Sequence, residues 1–340
     1  MYTEYFGLKS LPFNLTPDPQ FAYLSETHQT VLNLMISGFE NNHKIIVLSG
    51  EIGTGKTTLI RVFRERLAPH IRVAIIFHTL LKSSGLLKCI CHEFGIQTKN
   101  RKNKELIRDL ADFVLECSKR KEKTLLIIDE AQNLKSDVLE QIRSLSGICR
   151  GTNNLLPILL VGQPELKDHL QKPANKRINE NISMRFELEK MTRSETTGYI
   201  EHRIRAAGYK SSAPLFASAA ISEVFFKTGG TPRLINILCD KALLTAYVEN
   251  ASEVTDELIT NIHEDEFGEL PGESNVSDQP GKIEQEEKTV KATLSLKEKL
   301  KNNIRKIETF TQTPIEIWLA LLYGLILFVV QYILKNFKFF

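Results

Sequence analysis

Eight residues, Gly50-Glu51-Ile52-Gly53-Thr54-Gly55-Lys56-Thr57, constrain this chain more tightly than any other feature of its sequence. They match the pattern G-x-x-x-x-G-K-[ST], between an apolar run, Ile45–Ser49, and a helix-compatible stretch, Thr58–Leu67. The context matters because such a loop functions as the joint between a strand and a helix. Its glycines permit a tight turn in which successive N–H groups face anionic oxygens, and the helix start adds its positive end. Gly50 through Thr58 form the expected nucleotide-binding stretch. Within it Lys56 is the side chain to reach the β- and γ-phosphates of ATP, and the Thr57 hydroxyl is the ligand for Mg²⁺.

A loop of this kind needs a sheet to carry it. From Met1 to about Leu188, short β-branched apolar runs alternate with helical stretches, which predicts an α/β fold on a parallel sheet. Ile45–Ser49, Val73–Phe77, Leu125–Asp129, Ile158–Gly162 and Met184–Leu188 read as five strands. IIVLS and LLIID are almost wholly apolar, as strands covered on both faces are. From about Arg193 to Asp265 the pattern is helical throughout, which predicts a small helical lid. The expected divisions are an α/β nucleotide-binding domain over 1–190, a lid over 191–266, a flexible charged linker over 267–313, a transmembrane helix over 314–335 and a tail over 336–340.

The strand Leu125-Leu126-Ile127-Ile128 runs into Asp129-Glu130. A buried strand ending in a carboxylate puts Asp129 beside the expected Mg²⁺ position, and Glu130 becomes the candidate general base for an attacking water. By itself the pair also reads as a helix cap, with Ala131-Gln132-Asn133-Leu134 following; the phosphate loop upstream favours chemistry. The order of phosphate loop, Asp-Glu strand, further strand with a polar end and helical lid is similar to that of AAA+ ATPases. Gln163 stands where such proteins place a γ-phosphate sensor, with a turn residue before Pro164 as the alternative. Gly229-Gly230-Thr231-Pro232-Arg233 opens a lid helix, from which Arg233 either folds back onto the phosphates or remains a solvated charge.

Tyr5-Phe6-Gly7-Leu8, Pro12-Phe13, Thr16-Pro17-Asp18-Pro19 and Tyr23-Leu24-Ser25 with His28 resemble the N-terminus of the ExeA/GspA-type general secretion pathway ATPases. Val161-Gly162-Gln163-Pro164-Glu165-Leu166 and the stretch from Gly230 through Pro232, Arg233, Ile235, Asn236, Leu238 and Cys239 to Asp240 extend the resemblance over roughly residues 1–265. It implies a cytoplasmic AAA+ domain that assembles with itself into rings or other homo-oligomers. It also implies work on envelope machinery, such as secretin assembly, pilus biogenesis or polysaccharide export. Members of the family usually carry an arginine just before the fifth strand, where this chain has Glu180-Asn181-Ile182. An arginine finger reaching a neighbour's nucleotide is then Arg185 or Arg177, or is absent.

Past Pro314 the run IEIWLALLYGLILFVVQYIL ends at Leu334. About 20 residues at ~1.5 Å each reach roughly 30 Å, the thickness of a bilayer core, with a buried core helix or an interfacial helix as the other reading. Lys297, Lys299, Lys301, Arg305 and Lys306 precede it, and Lys335 and Lys338 follow, a bias that keeps the ATPase side of an inner membrane protein in the cytoplasm. Tyr2–Leu11 has no basic start leading into an apolar run, so no signal peptide is expected. Five scattered cysteines suit free thiols in a reducing compartment. A net charge of +3 gives no reason to expect nucleic acid as a partner. The other readings are a DNA-associated ATPase resembling TniB and MuB, and a scaffold that binds ATP but scarcely hydrolyses it.

Overall fold

The computed structural model describes residues 2–16, 19–77, 83–150 and 153–267. The expected linker, transmembrane helix and tail, from residue 268 onward, lie outside the described residues, as does Pro17-Asp18 of the N-terminal turn. Among the described residues no helix is long and apolar enough to cross a membrane.

Among the described residues there are seven strands: β1 (Ile45–Gly50), β2 (Ile71–Ile76), β3 (Lys123–Ile128), β4 (Cys149–Arg150), β5 (Asn153–Asn154), β6 (Ile158–Gly162) and β7 (Ile182–Leu188). All five expected strands form, with ends shifted by at most two residues, and they make one sheet in the order β2-β3-β6-β1-β7. Every pairing in it is parallel. The short β4 and β5 pair antiparallel in a separate ribbon that the apolar pattern does not reveal.

The helices are α1 (Tyr2–Tyr5), α2 (Glu26–Glu40), α3 (Lys56–Arg66), α4 (Ser83–Glu93), α5 (Asn103–Lys119), α6 (Ser136–Leu145), α7 (Glu165–Gln171), α8 (Lys176–Glu180), α9 (Arg193–Ala206), α10 (Ser218–Thr228), α11 (Pro232–Val248) and α12 (Asp256–Phe267). The two-residue period of a strand sorts the central side chains onto opposite faces. Ile45, Val47, Leu126, Ile128, Ile158 and Leu160 join one core with α4, α5 and α6. Their neighbours Ile46, Leu48, Leu125, Ile127, Leu159 and Val161 join another with α2 and α3. Each such fully buried aliphatic side chain contributes about 2 kcal/mol through removal from water. Two cores on one sheet explain why the central strands β1, β3 and β6 show no polar alternation, whereas the edge strand β7, ISMRFEL, alternates.

A third core belongs to the helical module, α9 to α12. Tyr2, Phe6, Leu8, Phe13 and Phe21 are buried within it, so the N-terminal segment packs with the helices and not on the sheet beside which it stands in sequence. Arg203 of α9 fastens that segment. Its guanidinium donates to the carbonyls of Pro12 at 2.6 Å and Asn14 at 3.1 Å and to the Tyr199 hydroxyl at 2.7 Å. It also lies over the ring of Phe21. Tyr2 donates from its hydroxyl to Asp240 on α11, closing the same segment at its start.

Candidate functional site

Three neighbouring strands, β3, β6 and β1, end at the same edge of the sheet, and in an open parallel sheet that edge is where ligands bind. The loop after β1 turns through Gly53 and Gly55, at φ +83° and +100°, into α3. Those conformations favour glycine, and space demands it too: a Cβ on Gly53 would lie 2.7 Å from Arg233 Cβ. Gly55 caps α3 without any side-chain hydrogen bond. The first N–H groups of this 11-residue helix, from Lys56 to Thr58, therefore have no partner within the helix and face the cavity in front of it.

Lys56 is 8% exposed and its ammonium donates to the carbonyls of Gly50 at 2.7 Å and Glu51 at 2.8 Å. Burial lowers its pKa, opposed by the carboxylates of Glu130, Asp129, Glu51 and Glu165. The Thr57 hydroxyl donates to Asp129 Oδ2 at 3.1 Å across the gap between α3 and the end of β3. Asp129 is buried, which raises its pKa, while hydrogen bonds from the Glu130 N–H and from Thr57 oppose the rise. A hydroxyl and a carboxylate held this close form a hard oxygen pair suited to Mg²⁺.

Glu130 follows in a left-handed conformation, φ 52° and ψ 37°, which is uncommon for a residue with a Cβ. Gln163, at the end of β6, reaches Glu130 Oε2 through its side-chain amide at 3.3 Å. Arg233 stands at the start of α11, where its backbone N–H donates to Gly53 O at 3.2 Å. Its guanidinium makes no ion pair among the described residues and lines the cavity in front of the loop. The cavity measures about 470 Å³ and is shared by Lys56, Thr57, Thr58, Glu130, Gln163 and Arg233 with Asn14, Tyr23, His28 and Tyr199.

The donor set fits a nucleoside triphosphate with Mg²⁺: uncapped helix amides, the buried Lys56 ammonium and the Arg233 guanidinium share one cavity, and Thr57 at its wall holds Asp129 through its hydroxyl. The structure thus brings together the phosphate loop, Asp129, Glu130, Gln163 and Arg233. It does not bring Arg185 or Arg177 there. Arg185 projects from the edge strand β7 and donates to Asn179 Oδ1 at 2.7 Å, while Arg177 is exposed on α8.

Two participants carried no assigned role in the sequence, although His28 stands in a stretch that carries the resemblance. Buried His28 on α2 is held between the Ser25 hydroxyl at 2.8 Å and Thr54 O at 3.0 Å, so it braces the loop from behind. Burial lowers its pKa, the hydrogen bond to Thr54 opposing. Gln132 joins Glu130 to the backbone of Gln163. Its only sequence signal is a polar side chain in the turn just beyond Asp129-Glu130.

A five-stranded parallel sheet carrying a glycine-rich loop, an Asp-Glu strand end and a helical module defines an α/β P-loop fold of the AAA+ class. Residues 40–170 match the family described as an AAA domain. Over 255 residues the chain is 33% identical to general secretion pathway protein A of Aeromonas hydrophila, a match covering 75% of this chain and 46% of that protein. The resemblance read from the motifs therefore holds, and this chain is a relative of that protein while spanning about half its length. Among solved structures, the ADP form of the Aeropyrum pernix ORC2 protein is similar at a TM-score of 0.56 and 16% identity, covering 77% of this chain and 74% of that one. Drosophila ORC bound to DNA is similar at a TM-score of 0.56 and 15% identity, covering 92% and 81% respectively. At such identities the likeness is one of fold alone.

Proposed function

We propose that this chain binds Mg·ATP in the cavity before α3 and hydrolyses it, and that turnover drives or regulates assembly of cell-envelope machinery for secretion, pilus formation or polysaccharide export. The observation that carries the reading is the meeting of Lys56, Thr57 and Glu130 in one cavity at the edge of a parallel sheet, with buried Asp129 hydrogen-bonded to Thr57. In it the α3 amides and Lys56 bind the phosphates, Thr57 and Asp129 hold Mg²⁺, and Glu130 accepts a proton from the attacking water. The ion supplies charge neutralisation on the phosphate oxygens. Gln163 and Arg233 complete the cavity wall from β6 and α11.

The kinship with general secretion pathway protein A supports the envelope setting and self-association. In this reading 1–190 and 191–266 are the nucleotide-binding domain and lid, 267–313 is a linker, 314–335 crosses the inner membrane and 336–340 is the tail. Turnover is then an activity of the cytoplasmic side. Arg185, exposed on an edge strand, is the leading candidate to reach a neighbour's nucleotide, with Arg177 second. The scaffold reading draws on a different observation: Glu130 is engaged by the amides of Gln132 and Gln163.

Phosphate release by the full chain, compared with Glu130→Gln, tests the choice. Loss of a general base lowers turnover by about 10²–10⁴-fold while Mg·ATP affinity is kept. Equal rates in the two proteins would mean that the chain is a nucleotide-binding scaffold. Retention in the membrane pellet after a carbonate wash tests the anchor, and release into the wash would remove it.

A further inference from the structure

We infer that Gln132 is a positioning residue for Glu130, one that sets how the carboxylate is presented to the cavity and ties it to the loop carrying Gln163. The inference rests on the hydrolytic reading above. Both ends of the Gln132 amide are engaged. Its Nε2 donates to Glu130 Oε2 at 2.6 Å, and its Oε1 accepts from the Gln163 backbone N–H at 3.1 Å. The side chain of Gln163 reaches the same Glu130 oxygen at 3.3 Å. One carboxylate oxygen is thus held by two amides, one from the turn after β3 and one from the end of β6.

The partners leave the Gln132 amide a single orientation. Turning it over would set its oxygen against the carboxylate and its NH₂ against an N–H. The space is reserved as well: a Cβ on Gly162 would lie 2.7 Å from Gln132 Oε1 and 3.3 Å from the Gln132 backbone nitrogen. Glu130 itself occupies the left-handed region, which is strained for a residue with a Cβ. Its orientation is therefore enforced by surroundings, and Gln132 is the side chain that spans from the carboxylate to the neighbouring strand end. A shift of Gln163 against a bound phosphate would pass through this amide to the base. Asparagine is too short for the span, and glutamate would replace the donor with a second negative charge.

The test uses the full chain solubilised in detergent. Without nucleotide, Glu130→Gln is expected to move the Gln132 side-chain NH₂ resonances, and Gln132→Ala to move the Gln163 backbone amide resonance. In steady-state assays Gln132→Ala should lower kcat roughly 10-fold, the equivalent of one hydrogen bond to a charged group, with KM for Mg·ATP within about twofold. Gln132→Glu should lose at least as much. In a Glu130→Gln background Gln132→Ala should cost nothing more, because the two residues act as one unit. Unmoved resonances overturn the inference, and so does a kcat loss that persists in full on top of Glu130→Gln. An inactive wild type would sink the hydrolytic reading instead, and the resonances alone would then decide whether Gln132 positions Glu130.

Discussion

The sheet-borne half of the cavity and the half supplied by the helical module are built on different principles. In the first, the residues of the glycine-rich loop are neighbours in sequence: a strand, a glycine turn and a helix start deliver Gly50 to Thr58 as one piece. In the second, the contacts join distant parts of the chain. Arg203 holds Pro12 and Asn14, Tyr2 holds onto Asp240, and the Arg233 N–H meets Gly53 O. A local device tolerates change elsewhere, whereas one made of long-range contacts depends on the whole module folding. Variants in the first half should therefore alter affinity for nucleotide, and variants in the second should first alter stability.

The largest effect is expected at Gly230, in the second half. It has φ +74°, and a Cβ there would lie 1.9 Å from Met191 O, a backbone atom that cannot swing aside. Gly230→Ala should cost on the order of 4 kcal/mol or more, against about 1 kcal/mol for Gly229→Ala, whose φ is +56° with open space around it. Urea denaturation of the two variants measures the contrast, and equal midpoints would dissolve it.

Arg203→Ala comes next. It removes the donor for two backbone carbonyls and for Tyr199 in a buried setting, so a loss of about 3 kcal/mol is expected. The thermal midpoint should drop while Mg·ATP titrated at low temperature still binds. A variant of unchanged stability would show that the N-terminal segment is held by apolar packing alone.

Lys56→Ala probes the other side of the comparison. Losing a charge-assisted contact should weaken Mg·ATP by about 2 kcal/mol, roughly 30-fold, and leave the nucleotide-free protein within about 1 kcal/mol of wild type. Calorimetric titration alongside denaturation separates the two. Unchanged affinity would mean that the phosphates bind elsewhere.

The smallest effect is assigned to His28, which holds the loop through Thr54 O. Burial holds its pKa below the ordinary 6.5, so below that pH the unfolded chain binds more protons than the folded one. Stability should accordingly fall as pH drops through about 6.5 and towards the folded-state value. His28→Gln should cost about 1 kcal/mol near neutral pH and make that fall shallower. Identical pH slopes would indicate that another group carries the dependence.

Much of this was legible in the chain because the signals are local. The strand–loop–helix pattern located α3, which starts two residues before the expected Thr58, and five apolar runs located five strands. The N-terminal segment adjoins the α/β region in sequence yet is buried with α9 to α12, a packing that sequence adjacency does not foretell. Phe13 and Phe21 look the same in sequence whichever core they enter, and their burial beside α9 to α12 is a tertiary choice. Gln132 and His28 went unassigned for a related reason, since an amide or an imidazole acquires its role from what it meets. Arg185 shows the converse: its residue type suits an arginine finger, yet within the chain it is occupied by Asn179.

By itself, then, the sequence determined the phosphate loop, its supporting sheet and the carboxylates at the end of β3, because backbone conformation and two- or 3.6-residue periodicity are properties of contiguous residues. Tertiary structure alone decided which side chains close the cavity from the far side: Arg233, Tyr199 and Asn14 beside His28. Those positions are set by packing between elements far apart in the chain, where a buried polar group must find its partner wherever the fold happens to bring one.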